Sequence, residues 1–240
     1  MKKGIVKITS GLLLCSFLAY TTPIFAFSKE ETVYTKVKPD GESYRTIVST
    51  HLKNDNKDEV LKDISDLINI ENVNGDETFT QNGEELTWSA NGSDIYYQGE
   101  TKKELPIKCT IKYELNGNEI LADEIAGKKG EVKITISYEN LDEHRVSING
   151  KLVSMYTPFT VITGIIFDNT KCKNVKVSSG KVVNDGTKTI VMGVSMPGMQ
   201  ESLNISKSTF EIPSIIEITM DTENYEQKNI VTFVTPKIFE

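Results

Sequence analysis

The residues best placed to do chemistry stand in the segment Ala126-Gly127-Lys128-Lys129-Gly130, where two lysines lie between two glycines. A phosphate-binding loop needs a further glycine five residues before its Gly-Lys pair, and a Ser or Thr after the lysine to hold magnesium. Here Ala122 and Lys129 occupy those positions. The spacing therefore excludes nucleotide binding. It predicts a one-turn helix over 122–126, stopped by Gly127 at its C-cap, with the lysines in water and Gly130 leading into the next strand.

Other catalytic arrangements are equally incomplete. No Gly-x-Ser-x-Gly elbow occurs, and the two histidines, His51 and His144, lie far apart in polar segments. Two histidines with two distant cysteines do not make a zinc site. The sequence lacks a calcium-loop pattern, and "NVNGDE" reads as a turn. Carboxylate pairs such as Glu30-Glu31, Glu84-Glu85 and Asp123-Glu124 read as solvated surface. Catalytic, cofactor and metal residues are thus all assigned as none. What is left is an aromatic group. Trp88 alternates with Leu86 and points to a core, while Tyr96 and Tyr97 must face opposite sides of a strand, leaving one outside. Trp88, Tyr96 and Tyr97 are therefore the candidate ligand-binding residues, as a sugar-stacking platform. Cross-strand packing is the competing explanation.

The elements that position these residues read as strands. Asn-Gly or Asp-Gly punctuates the chain at Asp40, Asn74, Asn82, Asn91, Asn116, Asn149 and Asp185, between runs of alternating polarity. "TVYTKVKP-DG-ESYRTIVSTHL", "ETFTQ-NG-EELTW" and "IKCTIKYEL-NG-NEI" read as hairpins. In "VKITISYEN", Val132, Ile134, Ile136 and Tyr138 share one face. One short helix is expected in "NKDEVLKDISDLI", where Val60, Leu61, Ile64, Leu67 and Ile68 have roughly helical spacing. Met192, Met196 and Met199 are expected to fill core gaps. The fold class is all-β: one or two antiparallel, sandwich-like (Ig-like) units with at most one or two short helices. A boundary near "TKKELP" separates an N-terminal β-hairpin region, 27–104, from a β-sandwich domain, 105–240.

The first 26 residues carry a basic start, a short apolar centre and Ile24 and Ala26 before Phe27, the pattern of a cleavable secretory signal peptide. Membrane contact is expected only through this segment, if it stays uncleaved. Its removal takes Lys2, Lys3 and Lys7 but no carboxylate, so the formal charge of −7 becomes −10. Such an acidic surface disfavours nucleic acid. The expected location is extracytoplasmic, secreted or associated with the cell envelope. Of three cysteines one lies in this leader. Export permits a Cys109–Cys172 disulfide; two buried free thiols are the reading that the strand pattern of Cys109 favours.

Six stretches taken together carry a family likeness: "GDETFTQNGEELTW", "IYYQGETKKELPIKCTIKYELNGNEI", "EIAGKKGEVKITISYEN", "YTPFTVITGIIFDN", "GKVVNDGTKTIVMGVSMPGMQESL" and "EIPSIIEITMDTENYE". The run from about Glu30 to Pro236 resembles the extracytoplasmic N-terminal region of clostridial and related Gram-positive membrane proteins of the YhgE/Pip (phage infection protein) kind. In those proteins heptad repeats and transmembrane helices follow, whereas this chain stops at Glu240. That makes it either a free-standing secreted version or the front of a longer membrane protein. The resemblance is silent about chemistry; the secretory pattern, the strand architecture and the lack of a coherent site together predict a non-enzymatic envelope module, acting in binding or as a structural spacer. Its partner would be an envelope protein or, through the exposed aromatics, a glycan of the cell wall.

Overall fold

The computed structural model describes Leu14–Cys15, residues 27–226 and residues 228–236. The leader expected over residues 1–26 therefore lies, apart from Leu14 and Cys15, outside the described residues. The chain is all-β. After β1 (Leu14–Cys15) come β2 (Ser28–Val37), β3 (Ser43–Lys53), β4 (Val60–Ile64), β5 (Ile68–Asn74), β6 (Phe79–Asn82), β7 (Glu85–Ser89) and β8 (Ile95–Thr101). The series continues with β9 (Ile107–Leu115), β10 (Asn118–Ile120), β11 (Gly130–Asn140), β12 (Glu143–Ile148), β13 (Lys151–Tyr156) and β14 (Thr160–Asp168). It closes with β15 (Cys172–Val177), β16 (Gly180–Asn184), β17 (Lys188–Ser195), the five-residue helix α1 (Met199–Leu203), β18 (Ile215–Thr222) and β19 (Val231–Thr235).

The chain forms two compact units. One comprises Lys36–Tyr44 together with the residues from Leu105 onward; the other comprises Leu14–Thr35 and Arg45–Glu104. In the smaller unit, strands run side by side as β2-β3-β8-β5 and as β4-β7-β6. Their apolar faces meet in a core of Leu52, Leu61, Leu67, Leu86, Trp88, Ile95 and Tyr97. Trp88 lies 5.3 Å from the Tyr97 ring and 4.6 Å from Phe79.

The segment expected to be a helix instead contains strand β4 and an extended stretch that leads into β5 at Ile68. In β4, Leu61 and Asp63 point inward while Val60 and Ile64 face water, and Leu61 pairs with Trp88. Buried Ser65 and Leu67 extend the same period of two. The polar Asp63 at an inward position concealed that alternation. Its burial is compensated by two partners: the Tyr97 hydroxyl donates to its carboxylate at 2.5 Å, and the Lys29 ammonium donates at 3.0 Å. Burial and the adjacent Asp63 charge push the Tyr97 phenol up. Burial opposes the Lys29 charge, but Tyr97, Asp63 and Glu31 outweigh it and hold the ammonium above the usual lysine range.

In the larger unit, β10-β9-β11-β18-β15 form one layer and β19-β14-β17-β16 lie side by side in the other. Val132, Ile134, Ile136 and Tyr138 all point into the space between them. The Tyr138 hydroxyl crosses that space to Thr163 of β14 at 2.6 Å and Thr232 of β19 at 2.8 Å. A two-stranded ribbon, β12–β13, stands apart from both layers. Asn116-Gly117 and Asn149-Gly150 make two-residue turns with every φ positive (51° and 78°, 51° and 77°), the geometry that matches strand twist in a hairpin.

Residues 122–126 form consecutive turns rather than the expected helix. Glu124 donates to the Leu121 carbonyl and Lys128 to that of Ile125, bonds three residues apart. The loop is anchored elsewhere: Gly127 N–H donates to Tyr225 O, and Tyr225 N–H to Lys128 O, both at 2.8 Å. The helix that does form, α1, was not foreseen. Within it, Gln200 is buried; its amide donates to the carbonyls of Ile205 and Phe210 and accepts from Ile212 N–H, tying down the loop that follows.

Candidate interaction surface

The sequence-selected residues are not brought together as a binding platform. Trp88 and Tyr97 are each 0% exposed, so neither offers a face to a sugar. Tyr96 alone reaches the surface, and its ring is already stacked on His51, with centroids 4.2 Å apart and planes within 7°. His51 Nε2 in turn lies 3.0 Å from the Asp94 carboxylate. The Asn54 N–H and then His51 hold the Asp94 carboxyl below the usual range. These contacts join β3 to the start of β8.

Lys128 and Lys129 face water, and Lys129 pairs with Glu223 at 2.5 Å. Gly127 adopts φ +82°, as a turn requires. Cys109 and Cys172 are free thiols. Burial pushes the Cys109 thiol up to about 12 and raises that of Cys172, which keeps both protonated and unreactive at neutral pH. Among the described residues no three His, Cys, Asp or Glu side chains are grouped to hold a metal ion, and no helix is long and apolar enough to cross a membrane.

The surface that departs from expectation is the outer face of β14, β17, β16 and β19. An antiparallel sheet in a sandwich ordinarily alternates apolar-in and polar-out. β11 obeys: its outward residues are Glu131, Lys133, Thr135, Ser137 and Glu139, and Lys133 pairs with Glu217 at 2.7 Å and Glu114 at 3.6 Å. β14 and β17 do not. Their inward residues include Val161, Ile165 and Phe167, and Val191 and Gly193, yet the outward ones are Ile162, Gly164 and Ile166, and Ile190, Met192 and Val194, with charge only at the end pair Asp168–Lys188. Met192 was expected to fill the core; it is 41% exposed on this outer face.

Register sets these side chains in rows. Ile162 lies beside Val194, Gly164 beside Met192 and Ile166 beside Ile190. Val231 of β19 continues the Gly164 row, and Val183 of β16 continues the Ile190 row. Ile166 is 52% exposed, Val231 47% and Val183 40%. Gly164 is a hollow at the centre, for a Cβ built there meets no atom closer than 3.9 Å. A strand spacing of about 4.8 Å and a rise of about 3.4 Å per residue give this face a footprint of roughly 300–400 Å². A patch of that size lies at the lower end of the about 300–600 Å² that the largest apolar patch of a typical monomer covers, a patch that is often functional. A smaller apolar group, Ile148 and Val153, is exposed on the β12–β13 ribbon.

The sequence carried the signal for this face. "TVITGIIF" and "TIVMGV" carry apolar residues at both the inward and the outward positions, with threonine the only polar type, the pattern of strands covered on both sides rather than one.

Comparison with known proteins adds little. No family model matches the chain, and no curated protein matches it. Among solved structures, the Fcho1 Mu homology domain of Danio rerio with bound Eps15 peptide is similar at a TM-score of 0.39 and 5% identity, over 94% of each chain. At that level the likeness assigns this chain neither a function nor a ligand.

Proposed function

We propose that this chain is a non-enzymatic, extracytoplasmic β module of the cell envelope that works by binding a protein through the outer face of β14 and β17. The observation that carries the reading is the run of outward apolar side chains Ile162, Ile166, Ile190, Met192 and Val194, opposite a second layer whose outer face is charged. An antiparallel layer facing water ordinarily carries polar residues on its outer side, so an apolar outer face opposite an ionic one supports the reading that the first is covered. The secretory pattern of residues 1–26 supports the location. The glycan alternative has less support, because two of its three aromatics lie inside the core.

The test is photo-crosslinking in living cells with a photoreactive amino acid at Ile166, and at Thr135 on the charged face as the control. A covalent adduct from position 166 with none from 135 supports the reading. Equal yields, or none from either, overturn it.

A further inference from the structure

The geometry points to a second copy of this chain as the occupant of the apolar face, in a weak two-fold dimer built sheet on sheet. The inference rests on the reading that this face binds protein, and it adds the identity of the partner.

A two-fold interface requires that residue i meets residue j and j meets i. Consider an axis parallel to the strands and midway between β14 and β17. It lays β14 of each copy over β17 of the other. The rows then match: Ile162 meets Val194, Ile166 meets Ile190, and the exposed Met192 side chain enters the hollow over Gly164. By the two-fold symmetry the Met192 knob of each copy faces the Gly164 hollow of the other. At the margins of the same row, Val231 of one copy comes over the aliphatic stem of Lys181 of the other.

Charge agrees with shape. The chain carries a formal net charge of −7, so two copies repel over most of their surfaces. The facing rows of β14 and β17, Ile162 to Ile166 and Ile190 to Val194, contain no ionisable side chain. This layer can approach its own image without juxtaposing like charges, whereas the β11 face would set Glu131, Lys133 and Glu139 against a copy of themselves.

Area sets the strength. Two footprints total roughly 600–800 Å², below the about 1,200–2,000 Å² of a standard specific interface. The dimer is accordingly weak, with a dissociation constant in about the micromolar-to-millimolar range.

The test is sedimentation velocity of the purified protein over a concentration series reaching about the millimolar range, with four chains compared. Wild type is expected to shift from monomer to dimer across the series. M192K places a charge at the knob and is expected to weaken association at least about tenfold, and G164M fills the hollow with the same effect. The double variant G164M/M192A exchanges knob and hollow between the strands, and is expected to restore association. Both altered side chains point to solvent in the free chain, and circular dichroism verifies that each variant folds. A wild type that stays monomeric at every concentration overturns the inference, as does a dimer indifferent to M192K and G164M. The mass of the in-cell adduct separates this inference from the reading beneath it. Twice the chain mass supports self-association; an adduct with a different protein overturns it while the binding role stands; no adduct overturns both.

Discussion

Replacing Asp63 with Ala removes the centre of a buried polar cluster: the Tyr97 hydroxyl loses its carboxylate acceptor, while Lys29 keeps Glu31 at 3.1 Å and the Ile64 carbonyl at 3.1 Å. Asp63 accepts from the Tyr97 hydroxyl at 2.5 Å and from Lys29 at 3.0 Å. Its side chain is nearly buried and Lys29 is about a quarter exposed. Breaking a buried pair by removing one partner costs about 3–5 kcal/mol, and the low end, about 3 kcal/mol, applies here because Glu31 and the Ile64 carbonyl still compensate the Lys29 charge. Tyr97→Phe removes a single hydrogen bond to a charged group, about 1.5–3 kcal/mol. The triple change K29M/D63L/Y97F substitutes apolar groups throughout, and is expected within about 1–2 kcal/mol of wild type, since a well-packed apolar replacement of an ion pair is often neutral. The assay is urea unfolding followed by the fluorescence of Trp88. It is the single tryptophan in the chain, and it lies in the same core against Tyr97. With a urea dependence of about 1.5 kcal/mol per molar, Asp63→Ala lowers the midpoint by about 2 M. A loss below about 1 kcal/mol for Asp63→Ala, or a triple variant as damaged as the single one, refutes the view that this cluster is what lets β4 carry a carboxylate inward.

Three further outcomes follow from the same structure. Gly193→Ala points into the sandwich, where its Cβ comes within 2.6 Å of Ile216, and overpacking should cost about 1–3 kcal/mol. Gly164→Ala, one strand away but facing out, should be neutral or stabilising by up to about 1 kcal/mol; thermal melts of the pair check which face is core. Cys109, its thiol pushed up to about 12, should resist iodoacetamide at about pH 9 in the native protein and react once unfolded. The sign is that of an acid whose folded pKa is raised: its contribution is complete below the unfolded thiol value of about 8.5 and is lost as pH rises from there toward 12. Denaturation midpoints should fall across that alkaline window, and a Cys109→Ser variant should show less of the fall.

Much of the architecture was legible because it follows from local rules. Asn116-Gly117 and Asn149-Gly150 announced their turns, since few other pairs accept two positive φ angles. Val132 to Tyr138 announced its inward face by strict alternation. β4 was misread because Asp63 breaks the apolar period with a carboxylate whose partners, Lys29 and Tyr97, are each 34 residues away in the chain. The turns at 122–126 were misread for a related reason. Their anchors are the backbone groups of Tyr225, which no local pattern reveals. The aromatic trio drew attention as a site because residue type was weighed without burial. The outer face of β14 and β17 is not legible from residue type alone, because an apolar side chain such as Met192 is expected in the core and only the register shows that it points out.

Met192 offers the most direct measurement of the central claim, that this outer face is covered when the protein works. Its thioether is oxidised to a sulfoxide by hydroxyl radicals in proportion to exposure, and it is 41% exposed in the free chain, against 53% for Tyr44 as the reference. Footprinting by mass spectrometry compares dilute purified protein with protein in the intact cell envelope. A drop in Met192 oxidation in the envelope, with Tyr44 labelled as before, is the predicted result. Equal Met192 oxidation in both states contradicts the account.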